Sequence, residues 1–240
     1  MKALTYPRRG LHGEVVHTIG LQIVGGELQP GDPLPPEDEL ISDLAVSRTV
    51  LREAVRVLAA KGLVAARPKT GTRVRARAEW NILDPDVLSW RIEATDDPGL
   101  YEEATEMRLG IEPLAARLAA TRALDEEVAG IADAYAAMEA GVDDQAAYLA
   151  ADLQFHDRIL GACHNELLGY LGVILHGVLR TTFKLTTTPK RSRRRALPLH
   201  RAILDGITAR DEARADEAAR ALIADSAADI KRLTRRTSLR

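Results

Sequence analysis

The 240-residue sequence has a single cysteine, Cys163, so no intrachain disulfide can brace it. One free thiol suits a reducing compartment. Aromatic residues make up only 4%, which leaves the core to aliphatic side chains and alanine. No apolar run approaches the ~18 residues that a membrane-spanning helix needs, so no membrane partner is expected. Met1-Lys2 leads to Tyr6-Pro7-Arg8-Arg9-Gly10 without an apolar stretch that could serve as a signal peptide. A cytoplasmic location is the expectation. No internal repeat or low-complexity tail is present either.

What remains is rich in Ala, Leu and Arg and reads as mainly α. The formal charge of −2 hides a division: residues 1–78 hold 12 Lys+Arg against 8 Asp+Glu, and the rest carries the acidic excess. A mildly basic N-terminal part on an acidic body fits phosphate binding by one domain.

The sharpest stretch runs from Leu34 to Gly62. Apolar residues recur at helical spacing in Leu40, Ile41 and Leu44, then in Val50, Ala54, Val57 and Leu58. Ala45-Val46-Ser47 between them is a tight turn, and Ser47 is placed to N-cap the second helix. Arg48, Thr49 and Arg52 in its first turns fit a recognition helix in a DNA major groove. A plain helical hairpin with solvated arginines fits the same spacing. Two short strand-like runs, 64–67 and 72–75, flank the turn Pro68-Lys69-Thr70-Gly71.

Leu34-Pro35, Glu37, Glu39-Leu40, Ser47-Arg48, Leu51-Arg52-Glu53-Ala54, Leu58, Gly62-Leu63 and Gly71-Thr72 resemble the winged helix-turn-helix of GntR-family transcription regulators. The resemblance implies DNA contacts from Arg48, Thr49 and Arg52, and a wing around Lys69 and Gly71 that reaches the minor groove. Asp38 departs from it, because a fatty-acid-responsive member has an arginine there. The expected domains are a DNA-binding domain at 1–78, a linker at 79–97 and an all-helical domain at 98–235. Pro85 should open a short helix in the linker. Helices are expected at 98–122, 125–140, 143–163, 165–187, 196–209 and 211–235. The run Lys190–Arg195 reads as a solvated loop.

Asp152 and His156, four residues apart, leave one face of a helix, and apolar neighbours suggest that it points inward. A divalent metal with His200 satisfies this pattern, and so does a simple Asp–His hydrogen bond. Arg108 lies in an apolar stretch, where a buried guanidinium requires an anion: Glu112, Glu106 or a ligand carboxylate.

Residues 98–235 resemble the helical effector domain of the FadR branch, through Glu106, Arg108, Glu112-Pro113, Asp152, Phe155-His156, Asn165, His200 and Ile203-Leu204. The resemblance implies a divalent metal (zinc, nickel or manganese) on Asp152, His156 and His200. The fourth ligand position falls near Leu222-Ile223, leaving Asp225 or Ser226 as substitutes. It also implies that Arg108, with Arg180 and Asn165, binds an effector carboxylate. The motif Trp80-Asn81-x-Leu83-Asp84-x-Asp86-Val87-Leu88-x-Trp90 is similar to sugar-acid-responsive members, which points to an acid such as galactonate or gluconate. The expected protein is a homodimeric repressor on double-stranded operator DNA. A metal-dependent hydrolase with an accessory DNA-binding domain is the alternative, although no general base stands beside the three ligands in sequence.

Overall fold

The computed structural model describes residues 10–67, 71–94, 98–172 and 189–237. It divides into two compact units, Met1–Asp96 and Asp97–Arg240. In the first, α1 (Leu11–Val24) buries Val15, Val16, Ile19 and Ile23 against α3 (Arg48–Ala60), which answers with Leu51, Ala54 and Leu58. Between them, α2 (Glu37–Asp43) starts with three acidic residues, favourable at the positive end of a helix dipole. The turn to α3 runs through Ala45, whose φ is 51°. Ser47 then caps α3, its Oγ accepting from Val50 N at 3.3 Å.

The wing is a two-stranded antiparallel ribbon of β1 (Val64–Arg67) and β2 (Gly71–Val74), with Val64 opposite Val74 and Arg67 opposite Gly71. Val64 and Val74 anchor its base in the core, while Gly71 at the tip has φ 77° and open space around it.

The 79–97 segment, expected as a linker, carries α4 (Pro85–Ala94), and this helix packs on α1 within the first unit. Pro85 is its first residue, and Trp90 is its anchor. The indole lies in the core, and its Nε1 donates to His17 Nδ1 at 2.8 Å. Gly20 makes room for it: a Cβ there would stand 2.6 Å from the ring. Lys61 at the end of α3 clasps the entry to α4, with Nζ 2.9 Å from Asp84 and 2.6 Å from Asp86. Two tryptophans in so aromatic-poor a chain mark this segment as core rather than tether.

The second unit is a helical bundle: α5 (Pro98–Arg122), α6 (Asp125–Ala140), α7 (Gln145–Ala162), α8 (residues 166–172), α9 (Lys190–Thr208) and α10 (Glu212–Thr237). Among the described residues, no helix is long and apolar enough to cross a membrane. The core is built of alanines from α5 and α10 around Ile131, Met138, Phe155, Ile203 and Ile207.

One sequence expectation is corrected here. Residues 190–195 are not a solvated loop but the first turns of α9. Arg193 Nε donates to the Val142 carbonyl at 2.8 Å, Lys190 and Arg194 pair with Asp143, and Arg195 holds Asp225 and Asp229 of α10. Their partners lie 30 to 51 residues away, beyond what local composition reveals.

Gly20→Ala forces a methyl into the Trp90 ring. It should cost about 1–3 kcal/mol, read as a lower melting temperature together with altered tryptophan fluorescence. An unchanged melting curve would mean that α4 does not dock on α1.

Candidate nucleic-acid interface and metal centre

Arg48, Thr49 and Arg52 lie exposed on the first turns of α3, where the Ser47 cap fixes the start of the helix. Both guanidiniums are engaged. Arg48 Nη2 donates to Asp38 Oδ1 at 2.7 Å, with Nη1 3.8 Å from Glu37 Oε2. Arg52 reaches both oxygens of Glu37 at 3.3 Å. The acidic first turn of α2 therefore holds the basic side chains of α3 in a fixed posture. Exposed pairs of this kind are worth about 0–1 kcal/mol each, weak enough for DNA phosphate to displace them. Gly71 stands at the wing tip, and Lys69 lies outside the described residues.

In the bundle, α7 presents Tyr148, Asp152 and His156 at successive four-residue steps on its buried face. His200 comes from α9, and Arg108 and Glu112 from α5. Asp152 Oδ1 is 2.9 Å from His200 Nε2 and 3.6 Å from His156 Nε2. One donor atom from each of the three residues lies within 4.8 Å of the others.

The 2.9 Å approach is not an aligned hydrogen bond, and neither Asp152 Oδ1 nor His200 Nε2 has a hydrogen-bond partner elsewhere. The backbone explains why. His200 Nδ1 lies 2.9 Å from the Ala196 carbonyl, which can only accept, so Nδ1 carries a proton, and whenever the ring is neutral Nε2 has a lone pair to offer a metal. On the other side, His156 Nδ1 lies 3.3 Å from Glu112 Oε2. Each imidazole is thus oriented through its outer nitrogen by an acceptor, as metal-binding histidines commonly are. Converging nitrogen and carboxylate donors in a buried site fit zinc, nickel or manganese.

The electrostatics agree. Burial works to raise the Glu112 carboxyl, yet Arg108 and His156 outweigh it and hold it at about 2. Burial also opposes ionisation of Asp152, but His156 and His200 hold its carboxyl well below the usual range. Burial disfavours a charged His156, whereas Glu112 and Asp152 carry it up to about 9.

Arg108 is 1% exposed. Its Nε and Nη2 donate to the two oxygens of Glu112 at 2.7 and 3.3 Å, and Nη1 donates to Ser226 Oγ at 3.2 Å. The anion that this guanidinium requires is supplied within its own helix. Arg108, Tyr148, Asp152, His156, Ser192, Arg193, His200, Leu222, Asp225, Ser226 and Asp229 line one cavity of ≈ 30 Å³. That is room for an ion and a water, but not for a six-carbon acid in this conformation. Leu222, near which the resemblance places a fourth ligand, lines the cavity with a side chain that cannot coordinate. Asp225 is 2.7 Å from Arg195, and Ser226 is held by Arg108.

Asn165 is not among the residues lining this cavity. Its Oδ1 accepts from Leu168 N at 3.2 Å and caps α8. Arg180 lies outside the described residues. Sequence reasoning missed Tyr148, Ser192 and Arg193; for Tyr148 the signal was present, four residues before Asp152 on the same helix face.

A winged helix-turn-helix in one unit and a donor-lined helical bundle in the other define a DNA-binding regulator with an added helical domain. Residues 11–74 match the model of the bacterial regulatory proteins of the gntR family, and residues 103–225 match the FCD domain. The chain is 37% identical over 221 residues to the galactonate operon transcriptional repressor of Escherichia coli (strain K12), covering 92% of this chain and 96% of that protein. It is 32% identical over 230 residues to the putative L-lactate dehydrogenase operon regulatory protein of the same organism, covering 92% of this chain and 85% of that one. The solved structure of Lar, which controls expression of the Listeria monocytogenes agr system, shares the fold, with a TM-score of 0.64 at 19% identity over 95% of this chain and all of that chain. The chain belongs to the gntR family and is a transcription regulator, not an enzyme.

Two outcomes follow from the geometry. Arg52→Ala should weaken operator binding by about 1–3 kcal/mol. Asp38→Asn, by releasing Arg48, should tighten binding and steepen its salt dependence. Gel shifts over a salt series read both, and an inert Arg52→Ala removes α3 from the groove.

Metal uptake should release protons, because ligands bind deprotonated. With His156 raised to about 9 in the metal-free protein, the stability from its charged form is complete below its ordinary value near 6.5. It is lost as pH rises through about 9, so zinc affinity should climb with pH across that window. Titration calorimetry in buffers of different ionisation enthalpy measures it; a pH-independent affinity would exclude His156 from the donor set.

Proposed function

We propose that this regulator is a repressor whose grip on operator DNA is set by a 2-hydroxy carboxylate, a sugar acid such as galactonate or gluconate, bound at a divalent metal held by Asp152, His156 and His200. The observation that carries the reading is the convergence of those three donor atoms in a buried cavity beside Arg108.

The charges favour a monoanion. Arg108 and Glu112 cancel, Arg193 and Arg195 balance Asp225 and Asp229, Asp152 contributes −1, and both imidazoles are neutral when they serve as ligands. A divalent ion when bound leaves this cluster at +1 and offers coordination sites to a carboxylate and its neighbouring hydroxyl. Two relatives support the ligand class, since one is named for galactonate and the other for L-lactate dehydrogenase. Galactonate and lactate are both 2-hydroxy carboxylates.

The small cavity supplies the switch. A sugar acid fits only if α9 and α10 part, and the clip across them is Arg195 with Asp225 and Asp229. A ligand that binds the opened form better draws the protein toward it. As a homodimer on a two-fold operator, located in the cytoplasm with its DNA, the protein would carry that change to paired recognition helices.

Operator fragments from the regulator's own upstream DNA provide the test. In fluorescence anisotropy with zinc-loaded protein, galactonate or gluconate should weaken operator binding by about 10-fold or more, and stripping the metal should abolish the response. His200→Ala should bind operator as tightly as wild type and ignore the acid. Arg108 is a poorer probe, because its removal strands the buried Glu112 charge. Operator affinity unmoved by every acid at a loaded metal site would overturn the proposal.

A further inference from the structure

Outside the three donors, the polar side chains lining the cavity are occupied. Arg108 holds Glu112 and Ser226, Ser192 bonds Asp229, Asp225 holds Arg195, and Arg193 donates to the Val142 carbonyl. Tyr148 is the exception. It is 1% exposed, it lines the cavity, and its Oη has no hydrogen-bond partner. A buried phenol ordinarily finds a partner, and α7 carries this one a single turn before Asp152.

The surroundings decide what kind of partner is missing. Burial first, and then the Asp152 charge, push the phenol far above its ordinary value. It therefore stays protonated and acts as a neutral donor, not as a phenolate ligand. A neutral O–H adds no net charge for a carboxylate, which a bound metal would attract. What it recognises is an additional oxygen.

We propose that Tyr148 is the specificity-determining residue of the cavity, donating its phenolic hydrogen to a hydroxyl oxygen of the bound acid. Acids that carry hydroxyls are then retained over unsubstituted acids of the same length. A ligand without that oxygen leaves the buried donor unsatisfied, the kind of mismatch that produces strong rejection. The inference rests on the effector reading given above.

The test compares metal-loaded, full-length wild type with Tyr148→Phe, using galactonate and hexanoate as probes in titration calorimetry. Phe keeps the ring, and the lost oxygen had no protein partner, so melting temperature and metal content should hold. Galactonate affinity should fall about 10- to 100-fold while hexanoate binding stays as weak as in wild type, and the operator response to galactonate should move to higher concentration. Unchanged galactonate affinity removes Tyr148 and leaves the effector reading standing. Equal losses for both acids, or a loss of metal, assign Tyr148 to packing or to the metal site and also overturn the inference. Wild-type protein that binds neither acid takes down the effector reading and this inference together.

Discussion

Five ionisable side chains enclosed in an alanine-rich bundle must neutralise one another, and the helical unit is arranged around that requirement. The contacts run as a chain: Arg108 to Glu112, Glu112 to His156, and both histidines to Asp152. Removing Arg108 leaves the Glu112 charge without water or counter-charge, which is far costlier than never having buried it. The chain draws on α5, α7 and α9, so the register of three helices is tied to one electrostatic condition. It also explains how one site can be both a structural keystone and a candidate switch. A site balanced in one protonation state is rebalanced when an ion replaces a proton.

The DNA-facing unit follows the opposite logic. Apart from the buried clasp of Lys61 on Asp84 and Asp86, its ion pairs are mostly exposed and individually weak, and its order comes from apolar packing of α1, α3 and α4. The Glu37 and Asp38 carboxylates hold Arg48 and Arg52 in exposed pairs, which a phosphate has to displace.

Much of this was legible in the sequence because it is local. The Ser47 cap, the 3.6-residue periodicity of α2 and α3, the turn before β2 and the Asp152/His156 spacing all depend on residues within one or two turns. Arg108 is a local case too: Glu112, one turn on, was already among the anions it could take, and the packed bundle shows that pair formed. What escaped depends on distant partners. The 190–195 run has the composition of a loop and is held as a helix by acceptors in the α6–α7 turn and in α10. Asn165 matched a motif position and serves as a cap, a role that short polar residues fill for reasons unrelated to ligands. Trp80 and Trp90 are the legible part of 79–97: as uncommon residues in this chain they mark a docked segment rather than a free tether, and Trp90 is buried against α1.

The second unit is framed by very small side chains. Ala115, Ala116, Ala119 and Ala120 on α5 lie in the same core as Ala215, Ala218 and Ala219 on α10. A Cβ on Gly206 would stand 2.7 Å from the backbone nitrogen of Ala215. A contact lined with methyl groups has no volume left to surrender, so nearly every replacement enlarges it and pushes helices apart. Such a frame resists drift. The cavity wall, by contrast, includes side chains outside the charged chain, such as Tyr148 and Leu222, which can be exchanged without breaking it. Descendants of this chain can therefore change what the cavity accommodates by altering a few of its residues while inheriting the spacing of the bundle intact.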